Sequence, residues 1–187
     1  MMNLKLAICG AFCTLLIGCG TADRYTVPPP VVTQKIAIAF RSVEVRDVSL
    51  PSYAAADEIH QQDATGKLTS SSSVLWADSP ERAVALELSR NLARLTSARV
   101  ASEPWPFEAF PDARLEVRFE NMVAGADGIF RISGQYFVGV EGGRRERSGL
   151  FELDVPLGPA GGPQAIAAAR GQIILNLAEF IAQDGLR

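Results

Sequence analysis

The side chain with the most definite chemistry in this chain is the thiol of Cys19. It follows Leu16-Ile17-Gly18 at the end of an apolar stretch that opens Met1-Met2-Asn3-Leu4-Lys5. Lys5 supplies a positive start, and Leu6 to Ile17 is too short for the roughly 20 residues that a spanning helix needs. Small residues then sit where a peptidase cuts. A cysteine at that place is the acceptor for diacylglycerol, and cleavage before it makes Cys19 the first residue of the mature chain. Gly20 stands where an Asp would signal retention in the inner membrane, so the expected location is the periplasmic face of a Gram-negative outer membrane. The other two cysteines, Cys9 and Cys13, fall within the discarded leader, which leaves no thiol for an intramolecular disulfide.

Other reactive side chains form no convincing constellation. His60 is the sole histidine and lies in the polar run Glu58-Ile59-His60-Gln61-Gln62-Asp63, where nothing fixes the geometry of a Ser-His-Asp triad. Ser70 to Ser73 read as linker rather than nucleophile. With one histidine, a metal site would have to be gathered from scattered carboxylates. Glu116 and Glu120 share a strand face, but Arg118 lies between them and predicts a solvated, salt-bridged surface. Gly139 to Gly143 precedes no helix and so lacks the geometry of a phosphate loop. The sequence predicts no enzyme, and no cofactor beyond the N-acyl and S-diacylglycerol groups on Cys19.

The elements that would carry any site follow from periodicity. After an 18-residue leader, the remainder of the 187 residues suits a single domain with a real core. Residues 19–34 include Pro28-Pro29-Pro30 and read as a lipidated, Pro-rich tether. It would act either as a disordered leader or as a semi-rigid spacer reaching roughly 40 Å at about 3.1 Å per residue. The domain is expected over 35–187. Ile36, Ile38, Phe40, Val43 and Val45 alternate as in a half-buried strand. A polar stretch, 54–73, predicts a short strand pair around a mobile loop. Asp78-Ser79-Pro80-Glu81 starts a helix whose stripe is Val84, Leu88, Leu92 and Leu95, with Glu81, Arg82, Glu87, Arg90 and Arg94 in water. Pro104-Trp105-Pro106-Phe107 makes a rigid turn. Leu115 to Glu120, Phe130 to Val138 and Leu150 to Val155 form an antiparallel meander, and Gly161-Gly162-Pro163 opens a last helix with Ile166, Ile173, Leu177 and Ile181 on one face. The expected fold is α/β of the α+β kind, a mixed or largely antiparallel sheet packed by two helices, in the order strands, helix, three strands, helix. No later segment reads as an uninterrupted membrane span.

Three features suggest contact with something else. Arg144, Arg145 and Arg147 surround Glu146 at a hairpin tip, either to meet anionic headgroups or an acidic protein, or as an ordinary solvated turn. Trp76 and Trp105 lie at element boundaries, as interface anchors or as core caps. Phe180 borders the last helical stripe. A net charge of −3 gives no basic face for nucleic acid.

The lipobox ending at Cys19, Arg24-Tyr25-Thr26-Val27, Leu50-Pro51-Ser52-Tyr53, Trp76-Ala77-Asp78-Ser79-Pro80, Ser89-Arg90-Asn91-Leu92, Pro104-Trp105 and Leu115 to Glu120 occur in one order along the chain. In this set the chain resembles the ABC-type transport auxiliary lipoprotein family, the PqiC-like proteins. That resemblance implies a non-catalytic outer-membrane lipoprotein, assembled as a homo-oligomeric ring. It would dock on an MCE-domain protein of the PqiB kind, with its ABC and inner-membrane components, in intermembrane phospholipid transport. Tyr53, Trp76, Trp105 and Arg144, Arg145 and Arg147 would then serve partner binding. A lipid-tethered periplasmic hydrolase and a purely structural envelope lipoprotein are the alternatives. Replacing Cys19 by Ser should release the chain from the membrane pellet into the soluble periplasm and abolish labelling by fatty acid; a Cys19→Ser chain that still sediments with membranes contradicts the lipobox reading.

Overall fold

The structure, a computed structural model, describes residues 21–187; the lipobox residues Leu16, Ile17 and Gly18 and the acceptor Cys19 lie outside the described residues. The elements are β1 (Asp23–Tyr25), β2 (Ser42–Val45), α1 (Ser52–Ala55), β3 (Gln61–Gln62), β4 (Leu68–Thr69), β5 (Val74–Trp76), α2 (Pro80–Leu95), β6 (Arg99–Ser102), β7 (Ala113–Gly125), β8 (Ile129–Gly139), β9 (Arg147–Pro156) and α3 (Gly162–Asp184). The expected mixed α/β order is present, with β7, β8 and β9 as the antiparallel meander.

Strand β7 is the axis of a seven-stranded sheet. One edge pairs antiparallel with β8, which pairs with β9. The other is shared along its length: β2 pairs in parallel at Ala113 to Leu115, Ser49 bridges to Arg118, and β3 pairs in parallel at Ala124 and Gly125. Strand β6 adds to β2 in parallel after α2 has crossed over. Leu115, Val117 and Phe119 point into the core as their alternation predicts. The pairing then shifts between Phe119 and Asn121, a bulge that keeps Met122 and Ala124 buried where an uninterrupted period of two would have turned them out. The Tyr53 hydroxyl holds that bulge: it donates to Asn121 Oδ1 at 2.5 Å and accepts the Met122 N–H at 3.2 Å. Opposite Phe119 stands Gly134, where a Cβ would lie 2.1 Å from the Arg118 carbonyl oxygen; the space is taken by Phe151, edge-on to Phe119 at 5.4 Å. The outer face carries the expected ion pair, Arg118 to Glu116 at 2.6 Å, with Gln135 donating to Glu120 at 3.2 Å.

Both helices pack on this sheet and on each other. Helix α2 buries Val84, Leu88, Leu92 and Leu95 as its spacing requires. Helix α3 buries more than one stripe, since the consecutive Ile173, Ile174 and Leu175 are all enclosed, and Phe180 turns inward to meet Tyr136 edge-on at 6.1 Å. It is long and apolar enough to cross a membrane by length and composition, contrary to the sequence reading, yet 67% of its most apolar window is buried inside the domain. Its apolarity is used by the core.

Three stretches differ from expectation. The strand expected from Ile36 forms ladder bonds only from Ser42. Before it, Ile36 and Phe40 are buried in alternation, but the backbone N–H groups of Ile36 and Ala39 donate to the carbonyls of Leu95 and Leu186 at 2.7 Å each, satisfying helix ends instead of a neighbouring strand. The polar stretch 54–73 holds the expected short strand pair, the β3–β4 hairpin, but its turn is ordered by Asp63, whose carboxylate accepts the N–H groups of Thr65 and Lys67, and the unexpected helix α1 precedes it. Residues read as a spacer lie along the domain: β1 pairs in parallel with β5, Tyr25, Val27 and Val32 pack on the core, and the Pro28 carbonyl sits where a Cβ on Gly171 would come within 2.8 Å.

Tyr136 crosses from β8 to the end of α3, slotted between Gly149 and Gly185, and donates to the Asp184 carboxylate. Burial first, and that carboxylate second, push its phenol from 10 up to about 12. The unfolded chain gives up this proton at the lower value. The stability it contributes is therefore complete below about pH 10 and is lost as pH rises through about 12. Urea unfolding from about pH 8 upward should show stability falling above pH 10 with a slope that Tyr136→Phe reduces; identical slopes in the two proteins contradict the assignment.

Candidate functional site

Two charged residues occupy positions that helical spacing reserves for the core. Glu87 on α2 is three residues after Val84, and Arg170 on α3 lies four after Ile166 and three before Ile173. Glu87, expected in water, is 7% exposed, and Arg170 is 1% exposed. They pair across the two helices, with Arg170 Nη2 donating to Glu87 Oε1 at 3.0 Å. The Arg170 guanidinium also lies over the Trp76 ring at 4.6 Å. Trp76 is itself fixed by backbone bonds: its N–H donates to the Asp57 carbonyl at 2.7 Å, and its carbonyl accepts from Arg24 Nη1 at 3.2 Å.

The pair borders a cavity of about 190 Å³ between β1, the β5–α2 connection and α2, lined among others by Tyr25, Val27, Trp76, Leu86, Glu87 and Arg90. Several polar atoms of the residues around it are enclosed with no partner among the described residues: Glu87 Oε2, Arg170 Nε, and Nε and Nη2 of the half-buried Arg90. Each unsatisfied group of this kind costs about 1–3 kcal/mol, more when charged. Burial pushes the Glu87 carboxyl above its ordinary range, against the opposing pull of Arg170 and Arg90. The guanidiniums stay charged at any physiological pH. Such a set can bind and orient a ligand; it offers no nucleophile.

Of the residues singled out from sequence, Tyr53, His60 and Trp76 meet in a small pocket beside Arg170, and the others lie elsewhere on the fold. Trp76 alone also joins the larger cavity. Trp105 lies in the β6–β7 connection, where its Nε1 donates to the Ala109 carbonyl at 2.7 Å and its ring meets Phe107 edge-on at 4.9 Å, with the Arg99 guanidinium 4.8 Å from the Phe107 centroid. The same connection exposes Phe107 at 41% and Phe110 at 73%. Arg144, Arg145 and Arg147 are exposed at the β8–β9 tip, with Arg145 at φ 70°. Tyr53 spends its hydroxyl on the β7 bulge. His60 Nδ1 is 3.1 Å from the Glu58 carbonyl and its ring lies edge-on to Tyr53, while the Ser71 and Ser73 hydroxyls bond each other at 2.8 Å. Among the described residues no group of three His, Cys, Asp or Glu is placed to hold a metal ion. Glu87 and Arg170 escaped the sequence reading, although the signal was present: a charge inside an apolar stripe on each helix.

Residues 25–182 match the family described as ABC-type transport auxiliary lipoprotein component. The chain belongs to this family. It is thus an auxiliary component of a transport system, in a family of membrane-anchored envelope lipoproteins. Two crystal structures share the fold: that of an uncharacterized protein, at TM-score 0.71 and 19% identity over 88% of this chain and 99% of the other, and that of protein XCC0632 from Xanthomonas campestris, at 0.65 and 16% over 89% and 93%. No curated protein matches this auxiliary lipoprotein in sequence.

Removing one partner of the buried pair leaves the other charge stranded. Arg170→Ala should lower stability by about 3–5 kcal/mol, whereas the double change Glu87→Leu with Arg170→Met should lose far less. Urea unfolding measures both; an Arg170→Ala loss under about 1 kcal/mol contradicts the pair as drawn.

Proposed function

We propose that this auxiliary lipoprotein is a non-catalytic subunit that holds the periplasmic part of an ABC/MCE-type phospholipid transport system at the outer membrane. In this reading residues 1–18 are removed, Cys19 carries the lipid, the segment up to residue 34 leads into the domain and packs along it from Asp23, and the folded module meets an MCE-domain protein of the PqiB kind and further copies of this chain in a ring. The observation that carries docking is the β6–β7 connection. Phe107 and Phe110 stand in water while Trp105 is tied back to Ala109 and Asp112 fastens the end of the loop by accepting the N–H groups of Arg41 and Ser42 at 2.8 and 3.2 Å. Exposed aromatics on a prearranged support suit an interface, because little side-chain freedom is lost on binding. The exposed arginines Arg144, Arg145 and Arg147 would give a polar rim.

Phe107→Ser with Phe110→Ser should leave membrane attachment and thermal stability nearly unchanged while removing most of the MCE-domain protein recovered with this chain from detergent-solubilised membranes. Undiminished recovery, or no MCE or ABC component recovered even with the natural chain, overturns the docking role.

A further inference from the structure

The seven-stranded sheet ends differently on its two sides. On the parallel side β4 closes one half with 2 residues and β6 the other with 4, edges too short to offer an incoming strand much to pair with. On the antiparallel side β9 has 10 residues, all in register with β8 from Arg147 to Pro156 without a shift. Among the described residues the backbone of β9 bonds to β8 alone. A bulge, an interior proline or a central charge would guard such an edge. Strand β9 has its proline at the last position and Leu150, 73% exposed, near its middle. Phe151 and Val155 point into the core, so the outward row is Ser148, Leu150, Glu152 and Asp154.

Charge is sorted along this strand. Arg144, Arg145 and Arg147 crowd its start, with Glu141 and Glu146 among them, and Glu152 and Asp154 stand exposed toward its end. On the same face of β7 and β8, Arg118 and Arg131 are engaged by Glu116 and Asp127. Such a strand is complementary to itself turned round: laid antiparallel, the basic start of one copy meets the acidic end of the other. Parallel pairing with β6 of a next copy would set arginine against arginine, since β6 begins at Arg99. The inward and outward pattern then fixes the register. For two copies to continue one sheet with their helices on the same side, opposite residues must share a face, so the two-fold axis passes through a residue. An axis at Glu152, Leu153 or Asp154 sets carboxylate against carboxylate, and one at Phe151 sets Leu150 against Glu152. An axis at Ser148 or Gly149 shortens the overlap. At Leu150 the two leucines cover each other, Ser148 faces Glu152 of the second copy, and the pairing runs from Arg147 to Leu153.

We propose that β9 is the seam between two copies of this chain, paired antiparallel about a two-fold axis at Leu150. This gives a surface to the contact with further copies in the proposed function, on which it rests, and an isologous contact of this kind joins copies in pairs. The test uses the full-length chain, expressed with its leader, carrying Leu150→Cys or Glu152→Cys. Directly opposite residues lie about 5 Å apart at Cα, within reach of a disulfide, whereas Glu152 and its counterpart stand roughly 13 Å apart along the seam. Leu150→Cys should give a disulfide-linked dimer on non-reducing gels of isolated membranes, while Glu152→Cys and the natural chain stay unlinked. Ser148→Cys combined with Glu152→Cys should link again. Equal linkage in the two single variants, or linkage in neither, overturns the seam. In dodecyl maltoside the natural chain should sediment as an even number of copies, and Leu150→Lys, which sets two ammonium groups face to face, should at least halve that mass. Leu150 is exposed, so both of its variants keep the fold, which circular dichroism checks. A larger ring whose mass Leu150→Lys leaves unchanged is held by other contacts and overturns this seam. The docking role fails separately, because a chain with Phe107→Ser and Phe110→Ser should still form the Leu150→Cys dimer.

Discussion

Arg170 ties together pieces of chain that are far apart in sequence. It comes from the middle of the core helix, takes Glu87 from α2, and lies on the ring of Trp76, whose strand β5 is in turn the only described partner of β1. A guanidinium enclosed to this degree is costly unless its charge is met and its donors are occupied. The ion pair and the aromatic face answer the charge; one donor is left over, beside two more on Arg90. One buried charge thus joins α3, α2 and the strand on which the N-terminal segment pairs. If it were replaced by leucine the stripe from Ile166 to Ile181 would be continuous, and Glu87 would be left buried without its partner.

That constraint changes the picture of the segment after Cys19. Three prolines invite the reading of a rigid strut. Pro28 instead packs on α3, close enough that Gly171 has no room for a side chain beneath its carbonyl, and Pro29 and Pro30 border the end of α2 at Ala93 and Arg94. Tyr25 and Val27 have apolar surface to cover, and covering it on the domain outweighs the freedom of an extended leader. The packed segment begins at Asp23, four residues after Cys19 in sequence. The loop from Trp105 to Phe110 presents aromatic surface to solvent.

How much of this could be read from the residues depended on whether a single period governed them. The meander was legible because Leu115, Val117 and Phe119, and their partners on β8, alternate on a sheet with one wet face. The helix from Pro80 was legible from its proline start and its apolar stripe. The bulge after Phe119 was not, since it depends on Tyr53, which approaches from 68 residues away to hold Asn121. The same holds for Ile36 to Phe40, whose pattern is that of a strand while their backbone bonds go to the ends of two helices. Glu87 and Arg170 were hidden for the opposite reason: charged side chains are assigned to water by default, and each becomes interpretable only when the other helix is placed against it. The candidate partner residues do not form one surface: the arginines share the β8–β9 tip and Trp105 lies in the β6–β7 connection, while Tyr53 and Trp76 line one small pocket and have work inside the fold.

The central claim is that the segment from Asp23 to Val32 belongs to the folded domain, so that on the proposed anchoring at Cys19 the domain stands close to the leaflet. Neutron reflectometry of the lipidated mature chain on a supported phospholipid bilayer measures the distance between headgroups and protein directly. Protein density beginning within about 15 Å of the headgroups is the expected profile. A solvent layer approaching roughly 40 Å, the span of a fully extended spacer, would contradict it.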